Sequence, residues 1–243
     1  MRTHTDPQQA GEHTVVTTWR ARLSARGVAF DGPAMPDPLD LTPALDAAQA
    51  RIPYDYQQAR ADHPVVAAWV AKIAEAAVAA DRGRRGRREI THGPSLLLWG
   101  PTGTGKTHQA YGAIRALTAA GCGVHWRSAF MSDLFAEMRP RPGIDPEWML
   151  RHYMRAPLLL LDDLGAPKPS EWNEELTVRL LNHRAENRLP TIVTTNLPPV
   201  RTPELDPRQE VLRDRIGDRA LSRLSGMCVQ AQLNGPDRRY LRA

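Results

Sequence analysis

Eight consecutive residues, Gly100-Pro101-Thr102-Gly103-Thr104-Gly105-Lys106-Thr107, carry the spacing G-x-x-x-x-G-K-[ST]. That spacing suits one task, the cradling of a chain of phosphates. Gly100, Gly103 and Gly105 let the backbone curl until successive N–H groups face phosphate oxygens, a path on which Cβ atoms would intrude. A helix opening near Gly105 adds its positive end, Lys106 is placed to bridge the β- and γ-phosphates, and the Thr107 hydroxyl is a ligand for magnesium. His108 completes a candidate set for a nucleoside triphosphate. The flanks agree: Ser95 to Trp99 reads as a short buried strand, and His108 to Ala120, rich in alanine, as a helix. The pattern implies that the chain takes ATP together with Mg2+.

Two later strand ends add groups that act on such a ligand. Leu158-Leu159-Leu160-Leu161 runs into Asp162-Asp163, as a buried parallel strand does where it opens onto a ligand crevice. Asp162 is expected to hold the magnesium shell. Asp163 points elsewhere and is a candidate to orient or deprotonate an attacking water, the step that separates a hydrolase from a nucleotide-binding switch. Pro190 to Asn196 is a β-branched strand ending in an amide that can hydrogen-bond the γ-phosphate or the water. Alone, an Asp-Asp pair or a terminal Asn is an ordinary turn former. Their order after the glycine loop lifts both above that reading.

In these three motifs the chain resembles the AAA+ ATPases, and more narrowly the DnaC/IstB-like group of helicase loaders and transposition helpers. The loop follows G-P-x-G-x-G-K-T, the second motif is Asp162-Asp163-Leu164-Gly165, and the third is Thr194-Thr195-Asn196-Leu197. The resemblance covers Ile52 onward. It implies an α/β fold, an αβα sandwich around a five-stranded parallel sheet in the order 5-1-4-3-2, without a helical lid domain. It also implies that Arg223, in a Ser-Arg-Leu context, is an arginine finger reaching a neighbouring subunit's nucleotide, with Arg219 on the same helix face as the second candidate. A finger acting in trans requires self-association into an ATP-dependent oligomer. Arg238 or Arg239 is the candidate replacement for the sensor arginine of a lid, and Ile52 and Tyr54 are candidates to touch the base. The implied task is that of an ATPase which binds single-stranded DNA and delivers a replicative DnaB-type helicase. The alternatives are a transposition helper acting on duplex DNA with a transposase, and a nucleotide switch without turnover.

Composition sets the outer bounds. The chain has 243 residues, 42% of them hydrophobic, enough for one sizeable core. We expect residues 1–50 to be an extension and residues 51–243 the ATPase domain, with 51–90 as lead-in and basic linker and 91–243 as core. The extension contains one amphipathic helix, with Val15, Val16, Trp19 and Leu23 along a side, as suited to docking on a partner as on its own domain. Nothing reads as a membrane span or signal peptide, which points to the cytoplasm. Two cysteines and eight scattered histidines predict neither a disulfide nor a zinc site. A formal net charge of +5 makes an anionic partner beyond ATP plausible. The candidate DNA-binding cluster is Arg82, Arg84, Arg85, Arg87 and Arg88, interleaved with Gly83 and Gly86; a solvated linker explains it nearly as well. Phe130 and Phe135 with Arg139 and Arg141 form a second candidate surface, although helical spacing with Met131, Leu134 and Met138 also suits a core.

Overall fold

The computed structural model describes residues 50–79, 88–139, 141–143 and 145–240. The expected helix around Trp19 and four of the clustered arginines, Arg82, Arg84, Arg85 and Arg87, lie outside the described residues. In chain order the elements are α1 (Pro64–Ala76), β1 (Val78–Ala79), β2 (Arg88–Glu89), β3 (Ser95–Trp99), α2 (Lys106–Ala119), β4 (Cys122–Gly123) and β5 (Trp126–Phe130). They continue with α3 (Met131–Glu137), α4 (Pro146–Met154), β6 (Leu158–Asp162), α5 (Glu171–Glu186), β7 (Thr191–Thr195), α6 (Leu212–Met227) and β8 (Cys228–Gln232).

Alternation along the strands builds the sandwich. Successive side chains on a strand face opposite ways, so an unbroken apolar run serves two cores at once. Leu96, Leu98, Leu158, Leu160 and Ile192 join Trp69, Ile73, Ile114 and Leu117 in the layer that holds α1 and α2. Leu97, Leu159, Leu161 and Val193 join Leu134, Leu150, Leu180 and Leu221 from α3 to α6. The five long strands pair in parallel in the order β5-β6-β7-β3-β8, which is the expected 5-1-4-3-2 when these strands alone are counted. Phe135 belongs to the second core and meets Trp172 edge-on, while Phe130 ends the edge strand β5 and is 47% exposed.

Three departures have local causes. The apolar run from Val65 to Ala80 reads in sequence as one helix, but α1 stops at Ala76, and Val78–Ala79 pairs antiparallel with β2 instead. The Arg88 guanidinium accounts for the stop: it donates to the carbonyls of Glu75 and Ala77, each at 3.2 Å, taking up backbone acceptors at the helix end. Strand β2 also pairs in parallel with β4, making a small three-stranded sheet that the sequence did not suggest. Within α6, Gly217 has φ 78° and ψ 164°, so the basic helix is two helical pieces joined at a kink. A Cβ there would come within 2.3 Å of the Glu174 carboxylate on α5, whose exposed side chain can turn aside, so it is the backbone angle that favours glycine.

Candidate nucleotide-binding site

The loop between β3 and α2 has the backbone its glycines predict. Gly100, Gly103 and Gly105 sit at φ 144°, 78° and 98°, and the helix begins at Lys106. The Thr104 hydroxyl donates to the Pro101 carbonyl at 2.9 Å, tightening the curl. The Lys106 ammonium donates to the carbonyls of Gly100 at 2.8 Å and Pro101 at 2.7 Å. Burial pulls its pKa down, while the charges of Asp163 and Asp162 act in the opposite sense.

Parallel pairing brings the three motifs to one edge. The Thr107 hydroxyl donates to the Asp162 carboxylate, 3.0 Å from Oδ1 and 3.3 Å from Oδ2, and the Thr194 hydroxyl donates to the same Oδ1. Asp162 is buried, and burial pushes its pKa up; the Asp163 charge adds to the rise, and the Thr194 and Thr107 hydrogen bonds oppose it. A buried carboxylate beside a threonine hydroxyl is a hard oxygen donor set. Among the described residues no group of three or more His, Cys, Asp and Glu could hold a metal ion. The pair therefore fits a cation such as Mg2+ that draws the rest of its shell from phosphates and water. Asp163 adopts φ 56°, which turns its side chain out of the strand into the cavity. There the Asn196 amide donates to its Oδ1 at 3.2 Å.

The cavity encloses about 450 Å³. Of the expected ligands, Thr102, Gly103, Gly105, Lys106, Thr107, His108, Asp163 and Asn196 line it, whereas Gly100, Pro101 and Thr104 do not, and Asp162 lies behind Thr107. Arg219 and Arg223 do not line it either. Ile52 is 2% exposed in the core and Tyr54 is 86% exposed outside the lining, so neither is the lead-in's contact with the cavity. That place belongs to Asp55 and Tyr56.

Helix α2 holds the lead-in in place. Arg115 donates to the Ala59 carbonyl at 2.8 Å, His108 Nε2 accepts from the Arg60 N–H at 3.2 Å, and Gln109 Oε1 accepts from the His63 N–H at 3.1 Å. Tyr56 then stacks on Tyr111 with ring centroids 5.0 Å apart, and Tyr111 meets Trp126 edge-on at 5.9 Å. Burial, and next the Asp162 charge, push the Tyr56 phenol pKa up, so it stays a hydroxyl. Only its place two residues after Tyr54 could have signalled this role.

The segment after β8 supplies the remaining cations. Leu233 extends the strand pairing by donating to the Trp99 carbonyl at 2.8 Å, and the Arg238 N–H donates to the Gly103 carbonyl at 3.0 Å. The chain then packs so closely on the loop that a Cβ on Gly103 would lie 2.0 Å from the Asp237 carboxyl. Arg238 and Arg239 line the cavity from this side.

The family model of IstB-like ATP binding proteins matches residues 88–239, which takes in the loop, both carboxylates, Asn196 and the terminal arginines. The chain belongs to this family. It is 29% identical over 156 residues to Rv3427c of Mycobacterium tuberculosis, named as an ATP-binding protein in an insertion sequence; the match covers 63% of this chain and 58% of that protein. The chain thus spans under two thirds of that relative's length. Among solved structures, the DnaC helicase loader superposes with a TM-score of 0.56 at 24% identity, covering 74% of this chain and 99% of that one. The replication initiator DnaA bound to AMPPCP and single-stranded DNA gives a TM-score of 0.50 at 18% identity, covering 71% of this chain and 45% of that one. These likenesses show the AAA+ fold, and family membership makes the chain an ATP-binding protein. Among the described residues no helix is long and apolar enough to cross a membrane.

Proposed function

We propose that this family member is a Mg2+-dependent ATPase that works as an assembly on DNA. The observation that carries the reading is the Asp163–Asn196 hydrogen bond on the wall of the phosphate cavity, because binding alone does not need it. Loop N–H groups and Lys106 hold the β- and γ-phosphates, the ammonium exchanging loop carbonyls for phosphate oxygens. Thr107 and Asp162 would hold Mg2+, which when bound screens the phosphate charge. Asn196 fixes the Asp163 carboxylate, which orients a water and accepts its proton as the water oxygen bonds to the γ-phosphorus and ADP departs. Arg238 and Arg239, which line the cavity, would contact the phosphates from the same chain in place of a lid arginine.

Hydrolysis is tested by measuring phosphate release for the full chain and for Asp163→Asn, alone and with single- or double-stranded DNA. Release by the native chain that falls at least about a hundredfold in the variant, with ATP affinity kept, is the expected result. Equal release from both would reduce the chain to a nucleotide switch.

Two tasks fit such an ATPase. The relative in an insertion sequence supports a transposition helper that acts on duplex DNA with a transposase. The DnaC fold likeness supports delivery of a replicative helicase onto single-stranded DNA. Sequence kinship bears more on task than a shared fold does, so we rank the helper first, ahead of the loader that the motifs alone suggested. Capture from the native host with ATP and Mg2+ separates them: a transposase supports the first reading and a replicative helicase the second.

A further inference from the structure

Thr194 lies in β7, fully buried and paired with Leu98 of β3. Its hydroxyl meets both aspartates of the site: Oγ1 accepts the Asp163 N–H at 3.0 Å and donates to Asp162 Oδ1. A hydroxyl has one proton and an amide N–H can only donate, so the bond from Asp163 commits that proton to Asp162. The backbone thus sets the direction of the hydroxyl. All of this happens where the sheet gives out. Pairing of β6 with β7 ends at Leu161 and Val193, and beyond it the Thr194 carbonyl accepts the Leu164 N–H at 2.8 Å while the Thr195 hydroxyl donates to the Leu164 carbonyl at 2.7 Å. Asp163 sits between these bonds at φ 56°, in the left-handed region, which surrounding structure has to hold. Its N–H is held by Thr194 and its side chain by Asn196.

The two threonine hydroxyls on Asp162 differ in what they can do. Thr107 is half-buried on the cavity wall, so its oxygen can turn to a cation and release the carboxylate. Thr194 does not line the cavity and has no solvent to turn to. We infer that Thr194 is a positioning residue for hydrolysis, its one buried hydroxyl fixing both the carboxylate that faces the cation and the backbone from which Asp163 reaches the water. A hydrogen bond to one oxygen of a metal-binding carboxylate stops the group from rotating and so aims the other. Because the same Oγ1 holds the Asp163 backbone, the two acids are set against a single atom. Asn196 acts on the Asp163 side chain and leaves that backbone, and Asp162, to Thr194. In sequence the residue passes for one more β-branched position in a strand.

The inference rests on the ATPase reading, and two variants of the full chain separate them. Thr194→Val keeps the volume and the branching and removes the hydroxyl; Thr194→Ser keeps the hydroxyl. In EDTA, Thr194→Val is expected to bind the non-hydrolysable analogue AMPPCP as the native chain does, because the loop and Lys106 are untouched. The Mg2+ concentration that tightens this binding should rise about tenfold, and phosphate release at saturating ATP should fall at least about tenfold. Thr194→Ser should return both to near the native values. A merely structural role would lower the melting temperature and metal-free binding alike, without singling out Mg2+. Should Thr194→Val melt too low to assay, Thr194→Cys, whose thiol donates only weakly, is held to the same expectations. Native turnover with a valine variant that matches it in Mg2+ response and release, or a serine variant as impaired as valine, overturns this inference alone. A native chain without turnover overturns the ATPase reading, and the hold of Thr194 on Asp162 then stands or falls by the Mg2+ response of analogue binding.

Discussion

At the C-terminal ends of β3, β6 and β7 stand a glycine loop, two carboxylates and an amide; at the N-terminal ends of β3 and β7 stand Arg184, Arg188 and Arg223. The same strands frame both ends, but the means differ. At the loop end the backbone itself is the main ligand, so the residues must be contiguous and their types are tightly constrained. At the other end the cations are long side chains on α5, on the turn that follows it and on α6, which any of many positions could have supplied. One end aligns strand termini to gather acids and a lysine, to which the segment after β8 adds Arg238 and Arg239; the other gathers arginines and no acid.

The largest expected effect breaks the loop end. Lys106→Ala removes the one ammonium placed among Gly100, Pro101 and the phosphate cavity, and should lower ATP affinity and turnover by about a hundredfold or more, read by nucleotide titration and phosphate release. The fold should hold, since the freed carbonyls face a cavity open to water.

Next comes the buried cation at the opposite end. Arg184→Met would leave the carbonyls of Tyr153, Met154, Ala156 and Pro190 without their donor. Losing several charge-assisted bonds at one buried point costs about 3–5 kcal/mol, and the melting temperature should fall by roughly 10 °C. An unchanged melting temperature would mean that water replaces the guanidinium, and that positive charge would then be lost without structural cost.

These two ends also differ in how much of them the sequence disclosed. The loop and the Asp162, Asp163 and Asn196 positions were legible because each rests on consecutive residues whose types the backbone dictates. Strand order was legible only through resemblance. Arg184 reads in sequence as one more charge on a helix, and its burial is a tertiary fact set by where α4 ends and β7 begins. Tyr56 was passed over for Tyr54 because the lead-in turns through a short 3-10 helix, and no local pattern says which of two tyrosines a single turn will aim inward. The early end of α1 had the same origin, a guanidinium eleven residues downstream of Ala77.

A smaller effect with two signs sharpens the picture of the loop end. Asp162 has a folded-state pKa above the ordinary carboxylate value, so the folded protein holds that proton more tightly than the unfolded chain does. Its contribution to stability is present at low pH and is lost as pH rises through the raised pKa. Asp162→Asn keeps an acceptor for Thr107 and Thr194 while removing the charge. Without metal at neutral pH its melting temperature should therefore rise by about 2–4 °C, the shift that roughly 1 kcal/mol gives in a domain of this size. With Mg2+ and ATP the order should reverse, because the native carboxylate gains a cation and the amide does not. A variant less stable than the native chain in both conditions would show that the charge is not penalised by its burial.

The smallest effect concerns Tyr56, where ring and hydroxyl can be separated. The ring stacks on Tyr111, which meets Trp126, so it is held by packing that does not depend on the hydroxyl. Tyr56→Phe should keep nucleotide affinity within about threefold, since a single neutral hydrogen bond nets about 1 kcal/mol at most sites and less where water competes. Tyr56→Ala removes the stack and lets the 54–57 turn loosen over the cavity, and should weaken affinity by about tenfold, in line with the roughly 0.5–1.5 kcal/mol that an aromatic pair adds beyond its buried area. If phenylalanine lost as much as alanine, the hydroxyl rather than the ring would be acting on the nucleotide. Tyr56 would then belong with Thr107 among the groups around Asp162, and the loop end would owe one of its ligands to a residue forty-four positions before the motif.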